Sequence, residues 1–163
     1  MSTPHRSCLP ESRPAAPPLA PTRANLNYSL GLPGGSYCLG MARTVVRRLL
    51  VEHGLDGLAE LGALAASELL GNAYTFTPGR DVSLAVRWRF GVLRLTVFDE
   101  HQEHAVEAGM ACRAYRREAL AVLESVVGEC GGIVGLAAAE SPLAGSRLWA
   151  VLPREAAERY AVL

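Results

Sequence analysis

VSLAVRWRFGVLRLTVFDE, Val82–Glu100, is the stretch on which the fold turns. Val82, Leu84, Val86, Trp88 and Phe90 alternate with Ser83, Ala85, Arg87 and Arg89. After Gly91, Leu93, Leu95 and Val97 alternate with Arg94 and Thr96. A period of two puts successive side chains on opposite faces, so the two runs predict a β-hairpin closed at Phe90-Gly91. One face is apolar and the other carries Arg87, Arg89 and Arg94, as an antiparallel pair with a buried and a wet side requires. That arginine cluster reads first as a solvated sheet face and second as a partner-binding patch. Asp99 stands where the second strand runs out.

Upstream the period is helical. Pro78-Gly79 ends a helix expected from about Gly57 to Tyr74, whose apolar residues are Leu58, Leu61, Leu64, Ala65, Leu69 and Ala73. Before it, a helix from Tyr37 places Met41, Val45, Leu49 and Leu50 on one face, with Arg43, Arg47 and Arg48 mostly on the other. Gly54 is a natural stop and Asp56 a natural cap for the next helix. Residues 1–36 hold Pro4, Pro10, Pro14, Pro17, Pro18, Pro21 and Pro33. Proline fixes φ and removes donors, so this segment is expected to be a disordered arm, with 37–163 as the folded domain.

Downstream, residues 99–113 are polar and irregular and read as a loop. A third helix is expected from Tyr115 to Cys130, with Leu120, Leu123, Val126 and Val127 inward and Gly131-Gly132 as its stop. Ile133–Ala139 and Arg147–Leu152 read as strands, separated by turn signals at Ser141-Pro142 and Ala144-Gly145. Pro153 opens a short final helix. Hairpin-paired strands with helices to cover one face make a two-layer α+β sandwich.

The totals restrict function. The 163 residues carry 16 basic and 16 acidic side chains, so the net charge is zero and gives no electrostatic case for nucleic acid or an anionic membrane. Every basic residue is Arg, which excludes a P-loop lysine, a Schiff-base lysine and a lysine general base. Cys8, Cys38, Cys112 and Cys130 form no C-x-x-C pair, against a zinc knuckle. No secretory apolar segment stands near residue 1, and no apolar run approaches the ~20 residues of a membrane span. The expectation is a cytoplasmic protein with reduced thiols.

One polar constellation interrupts the apolar helix before the hairpin. In ASELLGNAYTF, residues 66–76, Glu68 and Asn72 stand one turn apart and leave the helix in nearly the same direction. With Asp99 at the adjacent strand end, three polar groups can face one cleft. A carboxylate and an amide suit Mg²⁺, which takes oxygen ligands, and a strand-end carboxylate can accept from an exocyclic amine. Together they would suit a nucleotide. The plainer reading is a solvated helix edge and a turn-capping Asp, which spacing alone favours. His101 and His104, beside Glu100 and Glu103, have a metal-compatible spacing, but in a segment expected to be a mobile loop.

The stretch Met41–Pro153 resembles the bacterial anti-sigma-factor/serine-kinase-like ATP-binding domains of the GHKL (histidine-kinase-type ATPase) superfamily. ARTVVRRLLVEHGLDGLAELGALAASELLGNAYTFTPG resembles that family's first two helices and N box, with an E-L-x-x-N core at Glu68-Leu69-Leu70-Gly71-Asn72. LRLTVFDE resembles the strand into the G1 box, and GSRLWAVLP the closing strand. The resemblance implies a Bergerat-type two-layer fold, a mixed or antiparallel sheet with helices on one face. It implies Glu68 as the catalytic base, Asn72 as the Mg²⁺ ligand and Asp99 as the adenine contact. It places Arg117 and Ala119 at the phosphate-binding G2 region, and Arg147 where the family often has Thr.

The departures are as informative. The family's G1 box follows its Asp with glycines or small residues, whereas here Asp99 precedes Glu100-His101-Gln102-Glu103. In G2, glycines whose bare N–H groups meet phosphate give way to Arg117-Glu118-Ala119-Leu120. A carboxylate close to a phosphate costs roughly 4 kcal/mol at an effective dielectric of 20, which Arg116, Arg117 or Arg147 would have to offset. The resemblance therefore implies a regulatory ATP·Mg²⁺-binding protein, a serine/threonine-kinase-like phosphotransferase if active. Its partner would be a sigma factor, an anti-anti-sigma factor, another regulator or a second copy of itself. The alternative is a pseudo-kinase binding module that has lost nucleotide and works only through protein contacts. A third class, a small-molecule enzyme using Asp99, His101 and Glu68, lacks a nucleophile paired with a base.

Overall fold

The alternation in Val82–Glu100 folds as read. In the computed structural model, which describes residues 19–102, 104–140 and 144–163, strands β2 (Val82–Arg89) and β3 (Val92–Asp99) pair antiparallel from Ser83↔Phe98 to Arg89↔Val92. Phe90 and Gly91 close the hairpin at φ 53° and 78°. Two positive φ values are what a two-residue type I′ turn needs, because its twist matches that of the strands. Phe90 is thereby turned out to solvent and does not continue the apolar face, a correction to the expected alternation.

Three more strands extend the hairpin: β1 (Asn27–Leu32), β4 (Ile133–Ala138) and β5 (Ser146–Pro153). The order is β1-β2-β3-β5-β4, antiparallel throughout. Helix α1 (Tyr37–Glu52) packs along α2 (Ala59–Phe76), which lies across β2, β3 and β5. Helices α3 (Val106–Glu118) and α4 (Ala121–Glu129) follow the hairpin; α4 packs on β4, and α5 (Ala156–Tyr160) closes the chain. The core lies between the layers, with Leu84, Val86, Leu93, Leu95, Val97, Leu148 and Leu152 from the sheet meeting Leu61, Leu69, Leu70, Leu123 and Val127. The fold is α+β, with helices over a five-stranded antiparallel sheet. No helix among the described residues is long and apolar enough to cross a membrane.

Three further expectations are corrected. The proline-rich arm does not reach residue 36, because Asn27–Leu32 pairs with β2 as an edge strand. Between Pro21 and Pro33 the chain has no proline, so nothing removes the donors that an edge ladder needs. Leu26 is buried, Trp88 N–H donates to its carbonyl, and Tyr28 Oη meets His53 Nε2 at 2.9 Å. Residues 1–18 of the expected arm, with Cys8, lie outside the described residues, as do Glu103 and the Ser141-Pro142 turn signal.

The second correction is the face of α1. Cys38, Ala42, Val46 and Leu50 are buried, while Tyr37, Met41 and Val45 are exposed. Two adjacent i, i+4 stripes are apolar, and the core takes the one with smaller residues. Cys38 and Ala42 permit a close approach to α2, where a Cβ on Gly62 would stand 2.7 Å from Leu50 Cδ1.

Third, the predicted helix Tyr115–Cys130 is two helices, broken at Ala119-Leu120, and the first of them begins inside the supposed loop at Val106. Leu120 is buried at the junction. Helix α3 has no apolar stripe to announce it: Arg116 is the one buried residue among its described positions.

Candidate functional site

Arg116, in the last turn of α3, points into the gap between α2 and the ends of β3 and β5, and is 2% exposed. A buried guanidinium must spend its donors on protein acceptors. Its Nε donates to Asn72 Oδ1 at 2.9 Å, Nη1 to Ser146 Oγ at 2.9 Å and Nη2 to Asp99 Oδ2 at 2.5 Å. Its Cζ lies over the Phe76 ring, 5.4 Å from the centroid.

The partners are just as fully engaged. Asn72 Nδ2 donates to the Arg116 backbone carbonyl at 2.8 Å, satisfying one of the orphan carbonyls at the end of α3. Asp99 Oδ1 accepts from the backbone N–H groups of His101 at 3.1 Å and Ser146 at 3.2 Å. Asn72 and Phe76 are i, i+4 on α2, so one helix face supplies both the amide and the ring. Gly145 lets the chain before β5 come close to Asp99: its φ is +107°, and a Cβ there would run into the Asp99 carbonyl oxygen.

The sequence-predicted residues divide. Asn72 and Asp99 do converge, on the same guanidinium. Glu68, half-buried one turn before Asn72, takes no part in the network. Arg117 and Ala119 are exposed at the α3–α4 junction, away from the cleft. Arg147 faces the opposite side of the sheet, with Cζ 5.2 Å from the Trp149 ring and an outlying contact to Glu140 at 3.7 Å. Alternation along β5 puts buried Ser146 inward and Arg147 outward, so the two cannot share the cleft. Glu100, one of the extra carboxylates, pairs with Arg80 at 3.2 Å in solvent.

Asn72 Oδ1 already accepts from Arg116 Nε at 2.9 Å, and the other end of the amide is a donor, so a metal ion at Oδ1 would stand against the guanidinium charge. Mg²⁺ coordination does not fit this arrangement of the side chain. Nor does a nucleotide fit the hollow beside Arg116. That cavity holds about 250 Å³, below the ~300–1,000 Å³ of ordinary small-molecule sites. A second hollow of about 510 Å³ is lined by Asp81, Asp99 and Glu100, the last two paired with Arg116 and Arg80, and no cation among the described residues lines it to receive a polyphosphate.

The smaller cavity has a cluster that spacing alone does not reveal. His101 Nε2 lies 3.0 Å from His104 Nε2 and 3.2 Å from Cys112 Sγ. The two histidines are visible in the sequence as a pair, but Cys112 joins them only because 106–118 is a helix folded back over the loop. Its signal is the i, i+4 relation to Arg116, which places both side chains on the inner face of α3.

No protein-family model matches this sequence, and no curated protein matches it either.

Proposed function

We propose that this chain is a cytoplasmic regulatory binding protein of the anti-sigma/serine-kinase-like type, built on a GHKL-like fold. In this reading the nucleotide cleft is filled from within by Arg116, and the protein works through protein contacts without phosphotransfer. One observation carries it: the side chains at the E-L-x-x-N asparagine and at the strand-end aspartate both bind the Arg116 guanidinium. The guanidinium stands in for both halves of ATP·Mg²⁺, as a cation at Asn72 and as an N–H donor at Asp99. The lost G1 and G2 glycines agree, because a cleft that holds no phosphate has no use for bare backbone donors.

A partner surface is available on α1. Tyr37, Met41 and Val45 make an exposed apolar stripe, at 64%, 57% and 36% exposure, beside Arg48 and Glu52. Aromatic and methionine side chains ringed by charge are the composition of an interface core. The occupant proposed is a sigma factor or an anti-anti-sigma factor, with a second copy of this chain as the alternative. Surface plasmon resonance of the full chain against the sigma factors and anti-anti-sigma factors of its own genome tests this. Micromolar or tighter binding to one of them, lost in Met41→Glu, supports the reading; binding to none of them, with a monomeric chain, removes it.

The second reading is a weakened ATP·Mg²⁺-binding regulator, in which Arg116 swings out when nucleotide arrives. It rests on Asn72 and Asp99 keeping both residue type and shared cleft. Breaking a buried pair costs about 3–5 kcal/mol. Such an opening cost lowers apparent affinity by roughly two to more than three orders of magnitude.

A further inference from the structure

We propose that His101, His104 and Cys112 form a zinc site with one coordination position open to the cavity. This inference stands apart from the nucleotide reading, since none of the three residues belongs to it.

The ligand atoms already have nearly the spacing of a coordination shell. All three lie within 4.8 Å of one another, with His101 Nε2 to His104 Nε2 at 3.0 Å and His101 Nε2 to Cys112 Sγ at 3.2 Å. Tetrahedral Zn–N bonds of about 2.0–2.1 Å and Zn–S bonds of about 2.3 Å put neighbouring ligands roughly 3.3–3.6 Å apart. The two contacts to His101 need to open by a few tenths of an ångström, while His104 and Cys112, within 4.8 Å of each other, settle to the same spacing. Without an ion, the single lone pair of His101 Nε2 is approached by both His104 Nε2 and the Cys112 thiol, two donors on one acceptor.

The surroundings orient the ligands as an outer shell does. His101 Nδ1 lies 3.2 Å from the Phe76 carbonyl, which accepts from Nδ1–H and leaves the Nε2 lone pair facing the cluster. The His101 backbone N–H is held by Asp99 Oδ1. Cys112 is carried on α3, which Arg116 fixes across the cleft. Nitrogen and sulfur donors select zinc over Mg²⁺ or Ca²⁺. A Cys112 thiolate supplies one negative charge against the ion. The arginines lining the same cavity are Arg116, neutralised by Asp99, and the exposed Arg113.

Three protein ligands leave a fourth position, and it faces the 250 Å³ cavity bounded by Gly109, Ala138 and Ser146. Water, or a small ligand carried to that cavity, would complete the tetrahedron. The ion would tie the β3–α3 loop to α3 and hold that helix over the cleft.

The test uses the full chain without a histidine tag. Zinc affinity is measured by competition with a chromophoric chelator, and Co²⁺ is substituted for its spectrum. The expected result is one Zn²⁺ per chain and a thiolate-to-cobalt charge-transfer band that disappears in Cys112→Ser. His104→Ala is expected to weaken zinc by more than the roughly 10–100-fold that loss of an outer-shell partner costs. His104 is exposed and Cys112 half-buried, so both variants fold, which far-UV circular dichroism checks. No zinc uptake, or uptake unchanged in both variants, overturns the site.

Discussion

Arg116 Nη2 and Asp99 Oδ2 stand 2.5 Å apart, with the two side chains 2% and 0% exposed. They lie 17 residues apart in sequence, on α3 and at the end of β3, and the whole cleft is organised around their contact. A charge pair so far from water is costly to assemble, and it is held only because Asn72, Ser146 and two backbone N–H groups satisfy what remains of each partner.

Removing one member therefore strands the other. Arg116→Ala and Asp99→Asn are each expected to lower unfolding free energy by about 3–5 kcal/mol in urea denaturation. Arg116→Lys is expected to recover little, because an ammonium cannot reach Asn72, Ser146 and Asp99 with the geometry of a planar fork. A loss under 1 kcal/mol for Arg116→Ala would mean that the pair is solvated.

The edge strand makes the segment before α1 part of the fold. A chain starting at residue 37 loses β1 and the buried side chain of Leu26. Leu26 alone contributes ~1.5–3 kcal/mol, on the order of 5–10 °C in melting temperature for a domain of this size. A chain starting at residue 19 is the reference. Equal melting temperatures for the two would show that β1 contributes nothing.

Gly145→Ala is expected to destabilise the protein. The backbone at φ +107° is closed to an L side chain at a cost of about 1–3 kcal/mol, and the new methyl would meet the Asp99 carbonyl. Calorimetry is expected to show a melting point lower by several degrees. Ala144→Gly, next to it and exposed, is the control and should change little.

What the sequence made legible follows from which forces leave a periodic mark. The hairpin was readable because Val82–Val97 alternates and Phe90-Gly91 is a two-residue turn. Asn72 and Asp99 stand out as polar side chains in apolar surroundings, yet spacing alone favours a solvated helix edge and a turn-capping Asp, and only the packing of Arg116 between them shows both to be buried. The face of α1 was not, since Tyr37-Met41-Val45 and Cys38-Ala42-Val46 are both apolar stripes and only side-chain size separates them. Helix α3 was not, because it is anchored by one arginine and has no apolar face. Arg116 appeared in the sequence as one of three arginines able to offset lost glycines; only the helix around it shows that it turns inward while Arg117 and Arg147 turn away. Cys112 was hidden for the same reason.

Isothermal titration of the 163-residue chain with ATP and Mg²⁺, beside Arg116→Ala verified as folded, tests most directly the proposal that Arg116 fills a cleft that would otherwise take a nucleotide. The expected result is no binding to the unmutated chain up to millimolar ATP, with any binding that appears belonging to Arg116→Ala. Micromolar, Mg²⁺-dependent binding by the unmutated chain, abolished in Asn72→Ala, would contradict it and put ATP where the guanidinium now lies.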